Sequence, residues 1–221
     1  MPTKRDAIVE ALRRRILGGE IERGSRLRQD EVATWFDASI TPVREAFHRL
    51  EAEGLVVSEA HRGVRVAGID LERFKALYVT RMLLEPYAMR RAVLRISRHE
   101  LKGAYALLDE LAQANAAGDG SLRNLKTREF HFFFYRHCGM PGLVGEIEAK
   151  WDSFPWDFTL DDAARADQSH HEHIELVEAV RSVDGEAAAR LTAEHIRRGF
   201  LSLSRKIVGA EIEDPFDVDV D

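Results

Sequence analysis

Apolar residues recur at the helical period from the start of the chain. Ile8, Leu12 and Ile16, with Ala7, Val9 and Ala11 beside them, predict a helix over residues 5–17 that stops at Gly18-Gly19. Gly24 turns the loop that follows. Val32, Ala33 and Phe36 then mark the inner face of a second helix, and Val43, Ala46, Phe47 and Leu50 that of a third, which ends at Gly54. Leu55-Val56-Val57 and Val64-Arg65-Val66 are short β-rich runs on either side of His61-Arg62-Gly63. Such a hairpin is too short to stand alone and must pack on the helices. Two helices joined by a tight connection and followed by a hairpin describe a helix-turn-helix with a β-wing.

Beyond Gly68-Ile69-Asp70, where Asp70 is placed to cap a helix, strand signals cease. Helical periodicity runs through residues 71–95, 98–117, 121–138, 142–153, 161–182 and 184–207. Pro86 falls inside the first of these and is expected to kink it. Glycine-rich breaks stand at residues 118–120, 139–142 and 184–185. The expected fold is mainly α: a winged helix-turn-helix of three helices and a small hairpin over 1–68, a linker at 69–73, and an all-α bundle of six or so helices over 74–208. Residues 209–221 form an acidic tail, expected to be disordered.

Charge changes this picture less than its total suggests. The net charge is −6, with 45% apolar and 32% charged residues. Residues 1–68 carry twelve Lys/Arg against eleven Asp/Glu, a balance of +1, while the last eleven residues carry six acids and no base. Phosphate binding depends on local field, and the arginines at 13–15, 26, 28, 44, 49, 62 and 65 can supply one. No run approaches the roughly 18 apolar residues of a membrane span, and the first residues contain no apolar signal core. A lone Cys138 forms no intrachain disulfide, so a cytoplasmic protein is expected.

The stretch from Ser39 to Glu53 has the chemistry of a reading helix. Ser39 or Thr41 can cap it, Pro42 suits its first turn, and Ser39, Ile40, Thr41 and Arg44 would face base edges and phosphates. A plain surface helix bearing an arginine is the competing interpretation, and the adjoining wing weighs against it.

These residues resemble the GntR family of bacterial transcription regulators. The resemblance covers ILGGEIERGSRL (16–27), DEVATWFDASITPVREAFHRLEAEGLV (30–56) and HRGVRV (61–66). It implies a winged helix that binds a palindromic operator as a homodimer. The DNA contacts it implies are Arg28, Ser39, Ile40, Thr41, Arg44 and Arg49, with His61, Arg62 and Gly63 in the wing. Two positions depart from the family pattern: Ile40 and Asp30 stand where arginines are usual, which lowers the number of cationic contacts.

Of nine histidines, five form a candidate cluster: His131, His170, His171, His173 and His195. Imidazoles from three helices pointing into one bundle would form a facial three-nitrogen metal site, whereas any one alone reads as a structural histidine. Residues 74–207 resemble the FCD effector domain of the FadR subgroup through YVTRMLLEPYAMRRAV (78–93), REFHFFFYRHCGMPGL (128–143) and HEHIELVEAVRSVDGEAAARLTAEHI (171–196). The resemblance implies a divalent metal (Zn²⁺, Ni²⁺ or Mn²⁺) on His131, His173 and His195, with Thr127 at the position of the usual aspartate. It also implies that Arg81 grips the carboxylate of an organic-acid effector. On spacing alone, Arg81 can equally pair with Glu85 on an exposed helix face. Phe130, Phe132, Phe133, Phe134 and Tyr135 read mainly as core, as do Trp151, Phe154, Trp156 and Phe158, which could otherwise wall a cavity.

The expected function is therefore a ligand-responsive, DNA-binding regulator, and the expected class is non-enzymatic. The rival is a metalloenzyme built on the three histidines. No carboxylate is evidently poised beside them as a general base, since Glu129 should point elsewhere on its helix.

Overall fold

The computed structural model describes residues 3–59, 63–159, 163–210 and 212–217. Two compact units emerge, residues 1–71 with 155–157, and residues 72–154 with 158–221. The break after residue 71 falls within the stretch read as a linker.

The first unit opens with α1 (Lys4–Leu17), started by a capping box in which Thr3 and Asp6 satisfy each other's backbone N–H groups. A two-residue strand, β1 (Arg26–Leu27), leads into α2 (Gln29–Trp35) and α3 (Ile40–Ala52). Asp37 turns the chain between these helices in the left-handed region (φ 45°), which aspartate tolerates better than most residues. Ser39 occupies the N-cap position of α3, but its side chain makes no capping hydrogen bond. The wing is β2 (Val56–Glu59) and β3 (Gly63–Val66).

A third strand joins what the sequence predicts as a two-stranded hairpin. The sheet order is β1-β3-β2, antiparallel throughout, with Arg26 opposite Arg65 and Leu27 opposite Val64. Two residues of β1 carry no periodicity of their own, so only their partner strand reveals them. Ile8, Leu12, Ile16, Leu27, Val32, Val43, Phe47, Leu50, Val56 and Val66 form one core, the inner faces predicted for three helices and a wing.

The second unit contains six α-helices among the described residues: α4 (Leu71–Val93), α5 (Leu101–Ala117), α6 (Gly120–Arg136), α7 (Pro141–Asp152), α8 (Ala163–Arg181) and α9 (Gly185–Val208). A 3₁₀ turn spans Trp156–Thr159. Pro86 lies inside α4 without ending it. Asp119 and Asp184 cap α6 and α9, each accepting from a backbone N–H at 2.9 Å. Residues 212–217, read as part of a disordered tail, make contacts of their own. Arg197 donates to Asp214 at 2.5 Å, and Phe216 sits edge-on to Phe200 with centroids 5.4 Å apart.

Candidate nucleic-acid interface and metal centre

On α3, Val43, Ala46, Phe47 and Leu50 point into the core, which leaves Ser39, Ile40, Thr41 and Arg44 exposed at the start of the helix. Ile40 keeps 43% of its surface accessible, an apolar side chain where a cationic one is usual. The predicted cations are not equivalent. Arg28 forks onto Asp30 at 2.9 and 3.2 Å and approaches Glu31 at 3.5 Å. That hydrogen bond holds the Asp30 carboxyl below its ordinary range. Arg49 pairs with Asp6 at 3.2 Å and Glu53 at 3.5 Å. Arg44, by contrast, has no ion-pair partner among the described residues. Exposed pairs such as Arg28–Asp30 exchange readily for phosphate, yet each engaged acid cancels part of the local field. Gly63 opens β3 at φ 85°, a conformation that strains any residue with a Cβ. His61 and Arg62, the other predicted wing contacts, lie outside the described residues.

In the second unit α6, α8 and α9 each supply one imidazole to a single point. The ring centroids of His131, His173 and His195 form a near-equilateral triangle with sides of 4.9, 4.9 and 5.1 Å. Each offers one ring nitrogen within 4.8 Å of the others'. His131 Nε2 and His173 Nε2 are 3.1 Å apart. Burial lowers the pKa of all three, with neighbouring positive charge adding to the effect, while Glu172 partly offsets it at His195. Neutral imidazoles are the form that binds metal. A tetrahedral zinc with bonds of about 2.0–2.1 Å sets its nitrogen ligands roughly 3.3 Å apart, close to the spacing seen between the two Nε2 atoms. The donor set therefore fits a divalent cation.

Thr127 stands one turn before His131, half-buried, and contributes no carboxylate. His170 and His171 do not join the cluster: His171 is exposed and bonds the Asp167 carbonyl at 2.8 Å. The other nitrogens of the triad have unequal partners. His195 Nδ1 lies 2.6 Å from Glu172 Oε2, and His131 Nδ1 lies 3.4 Å from the Tyr135 hydroxyl. His173 Nδ1 is buried and has no hydrogen-bond partner among the described residues.

Arg81 and Glu85 do form the i, i+4 pair, but in the interior and not on an exposed face. Their side chains are 7% and 1% accessible, with Nε donating to Oε1 at 2.7 Å. The guanidinium carbon sits 4.8 Å from the Trp151 ring centre, 5.1 Å from Tyr78 and 5.2 Å from Phe154. Glu85 also accepts from the Tyr135 hydroxyl at 2.7 Å and Trp151 Nε1 at 2.9 Å. Burial pulls the Arg81 pKa down, and the attraction of Glu85 outweighs it, so the net shift is upward. Burial likewise raises the Tyr135 hydroxyl well above its usual value, with Glu85 adding to the rise.

Sequence reasoning missed Glu172, Tyr135 and Arg165 as members of this network. Glu172 was the least legible, because a residue next to His173 on a helix is expected to face another way. Glu129 behaves as predicted and pairs with Lys126 at 2.8 Å.

Comparison with known proteins agrees with both halves. Residues 4–66 match the bacterial regulatory proteins of the gntR family, and residues 76–198 match the FCD domain. The chain is 29% identical over 190 residues to a probable D-xylose utilization operon transcriptional repressor of Paenarthrobacter nicotinovorans, covering 82% of this chain and 80% of that one. It is 26% identical over 202 residues to the transcriptional repressor RspR of Escherichia coli K12, covering 86% and 84%. Its fold is that of E. coli McbR/YncC, with a TM-score of 0.75 at 23% identity, over 93% of this chain and 99% of that one. With a reading helix and wing matching one family and a helical bundle matching the domain that accompanies it, this chain belongs to the GntR family of transcription regulators and carries an FCD domain.

Proposed function

We infer that this chain is a cytoplasmic, operator-binding homodimer whose affinity for DNA is set by a small molecule, an organic acid in the first instance, bound in the FCD domain beside a divalent metal. The observation that carries this reading is the convergence of three imidazoles from three helices on one point. A metal there would hold α6, α8 and α9 together and offer open positions to an anionic ligand. A ligand changes operator affinity only by its differential affinity for two arrangements of the dimer. Leu83 (70% accessible) and Tyr87 (45%), one turn apart on α4, are apolar surface that a second copy could cover. Glu85 occupies the fork of Arg81, so an effector carboxylate reaching that arginine would share it with Glu85 or displace it. Both acids in this network, Glu85 and Glu172, are held by arginines, which favours a sensor over a metalloenzyme.

Metal analysis of untagged protein tests the centre. About one equivalent of divalent metal is expected in the wild type, and its loss in His131→Ala. Stoichiometry near zero in both would sink the site.

For the DNA interface, Arg44→Ala is expected to weaken operator binding by about 1–3 kcal/mol, roughly five- to 150-fold. The slope of log K against log salt should also be shallower than the roughly −9 of a protein with ten phosphate contacts, because Ile40 and Asp30 remove two cations. Fluorescence anisotropy with operator DNA across a salt series measures both. Unchanged affinity in Arg44→Ala, or a slope as steep as −9, would contradict this assignment.

A further inference from the structure

Thr127 supplies no anionic ligand to the three-histidine cluster, yet a carboxylate lies one hydrogen bond further out. Glu172 is 7% accessible, on α8, and its Oε2 sits 2.6 Å from His195 Nδ1 on α9. Arg165 grips the same carboxylate through both terminal nitrogens, at 3.0 and 2.8 Å. Arg198 Nε stands 2.7 Å from Oε1 as an ion pair. Two arginines on one carboxylate are more than charge balance requires. Arg165 pins it with two hydrogen bonds, Arg198 Nε adds charge without a hydrogen bond, and the shortest contact of the carboxylate is to the imidazole.

We propose that Glu172 is a positioning residue for the metal centre: by accepting the Nδ1 proton of His195 it fixes the ring's tautomer and turns the Nε2 lone pair toward His131 and His173. The proposal rests on the metal reading given above. A carboxylate can only accept at this distance, so the proton sits on Nδ1 and Nε2 is left bare. The same contact makes the imidazole a stronger donor and lends the centre part of the negative charge that Thr127 does not provide. The other two histidines lack such a partner. Among the described residues, His131 Nδ1 has only the Tyr135 hydroxyl at 3.4 Å, and His173 Nδ1 has none. His195 is thus the ring whose orientation is most firmly set, and Glu172 is the group that sets it.

The test uses the full chain, first stripped of metal with a chelator and then titrated with zinc against a chromophoric competitor. Long-range ¹H–¹⁵N correlation of the imidazole nitrogens in the metal-free protein reads the tautomer directly. Wild-type His195 is expected to carry its proton on Nδ1. Glu172→Ala should lose that preference and bind zinc roughly 10–100-fold more weakly. Glu172→Gln keeps an oxygen that can accept from Nδ1 and should weaken zinc less, and it carries the test should the alanine variant fail to fold. An unchanged His195 tautomer with unchanged zinc affinity in both variants would overturn the proposal. If the wild type takes up no zinc, the metal reading falls, and the tautomer alone decides whether Glu172 positions His195.

Discussion

Replacing Glu85 with alanine is expected to destabilise the helical unit by roughly 3–5 kcal/mol, the cost of leaving one member of a buried ion pair without its partner. Arg81 would keep its charge in an aromatic cage of Tyr78, Trp151 and Phe154, with only 7% of its side chain in contact with solvent. The loss extends past the pair. The Tyr135 hydroxyl and the Trp151 indole N–H both donate to Glu85, and each buried donor left without an acceptor costs about 1–3 kcal/mol. Removing both charges, as in Arg81→Met with Glu85→Leu, should cost less than Glu85→Ala alone, since no uncompensated ion remains. Urea unfolding of the three proteins, followed by tryptophan fluorescence, measures the difference. A loss below about 1 kcal/mol for Glu85→Ala would mean that water reaches Arg81 and the pair is not a closed one.

Mild acid is expected to have an effect of similar size on the metal-free protein. His131, His173 and His195 have folded-state pKa values below the ordinary 6.5, because burial and neighbouring positive charge disfavour the imidazolium. The unfolded chain therefore binds protons first as pH drops. Stability is fully present above about 6.5 and declines from there toward the lower folded-state values. The slope is at most about 1.4 kcal/mol per pH unit for each histidine. Glu172 extends the decline to lower pH. Burial pushes its pKa up, but hydrogen bonds from His195 and Arg165 outweigh this and hold it at about 2, so its contribution is lost between the ordinary 4.5 and 2. Urea midpoints should hold between pH 7.5 and about 6.5 and fall from there to pH 5, and added zinc should make the fall steeper, since protons compete with metal for the same nitrogens. Stability that stays flat over that interval would show that the triad takes up protons as readily folded as unfolded.

Much of the architecture was legible because it rests on local periodicity. The inner faces at Ile8, Leu12 and Ile16, or at Val43, Phe47 and Leu50, are set by 3.6-residue spacing and need no knowledge of distant residues. The helix breaks were legible through glycine and aspartate for the same reason. Strand β1 was not, because two residues carry no period and owe their conformation to β3. The three clustered histidines were legible by resemblance. Their separation from His170 and His171 depends on which helix face meets α6 and α9.

The chain itself determined the order of elements, the reading helix with its two missing cations, and the absence of an aspartate at Thr127. All of these are properties of single positions or of residues within two turns of each other. Only the tertiary structure decided that Arg81 and Glu85 pair in the interior, that Tyr135 and Trp151 complete that pair, and that Glu172 backs His195. The pairing of Arg81 with Glu85 was visible in their spacing, but its burial was not, since burial is a property of the helices packed around it. Glu172 and His195 are brought together only when α8 lies against α9, and no local pattern encodes which carboxylate an imidazole will meet across such an interface.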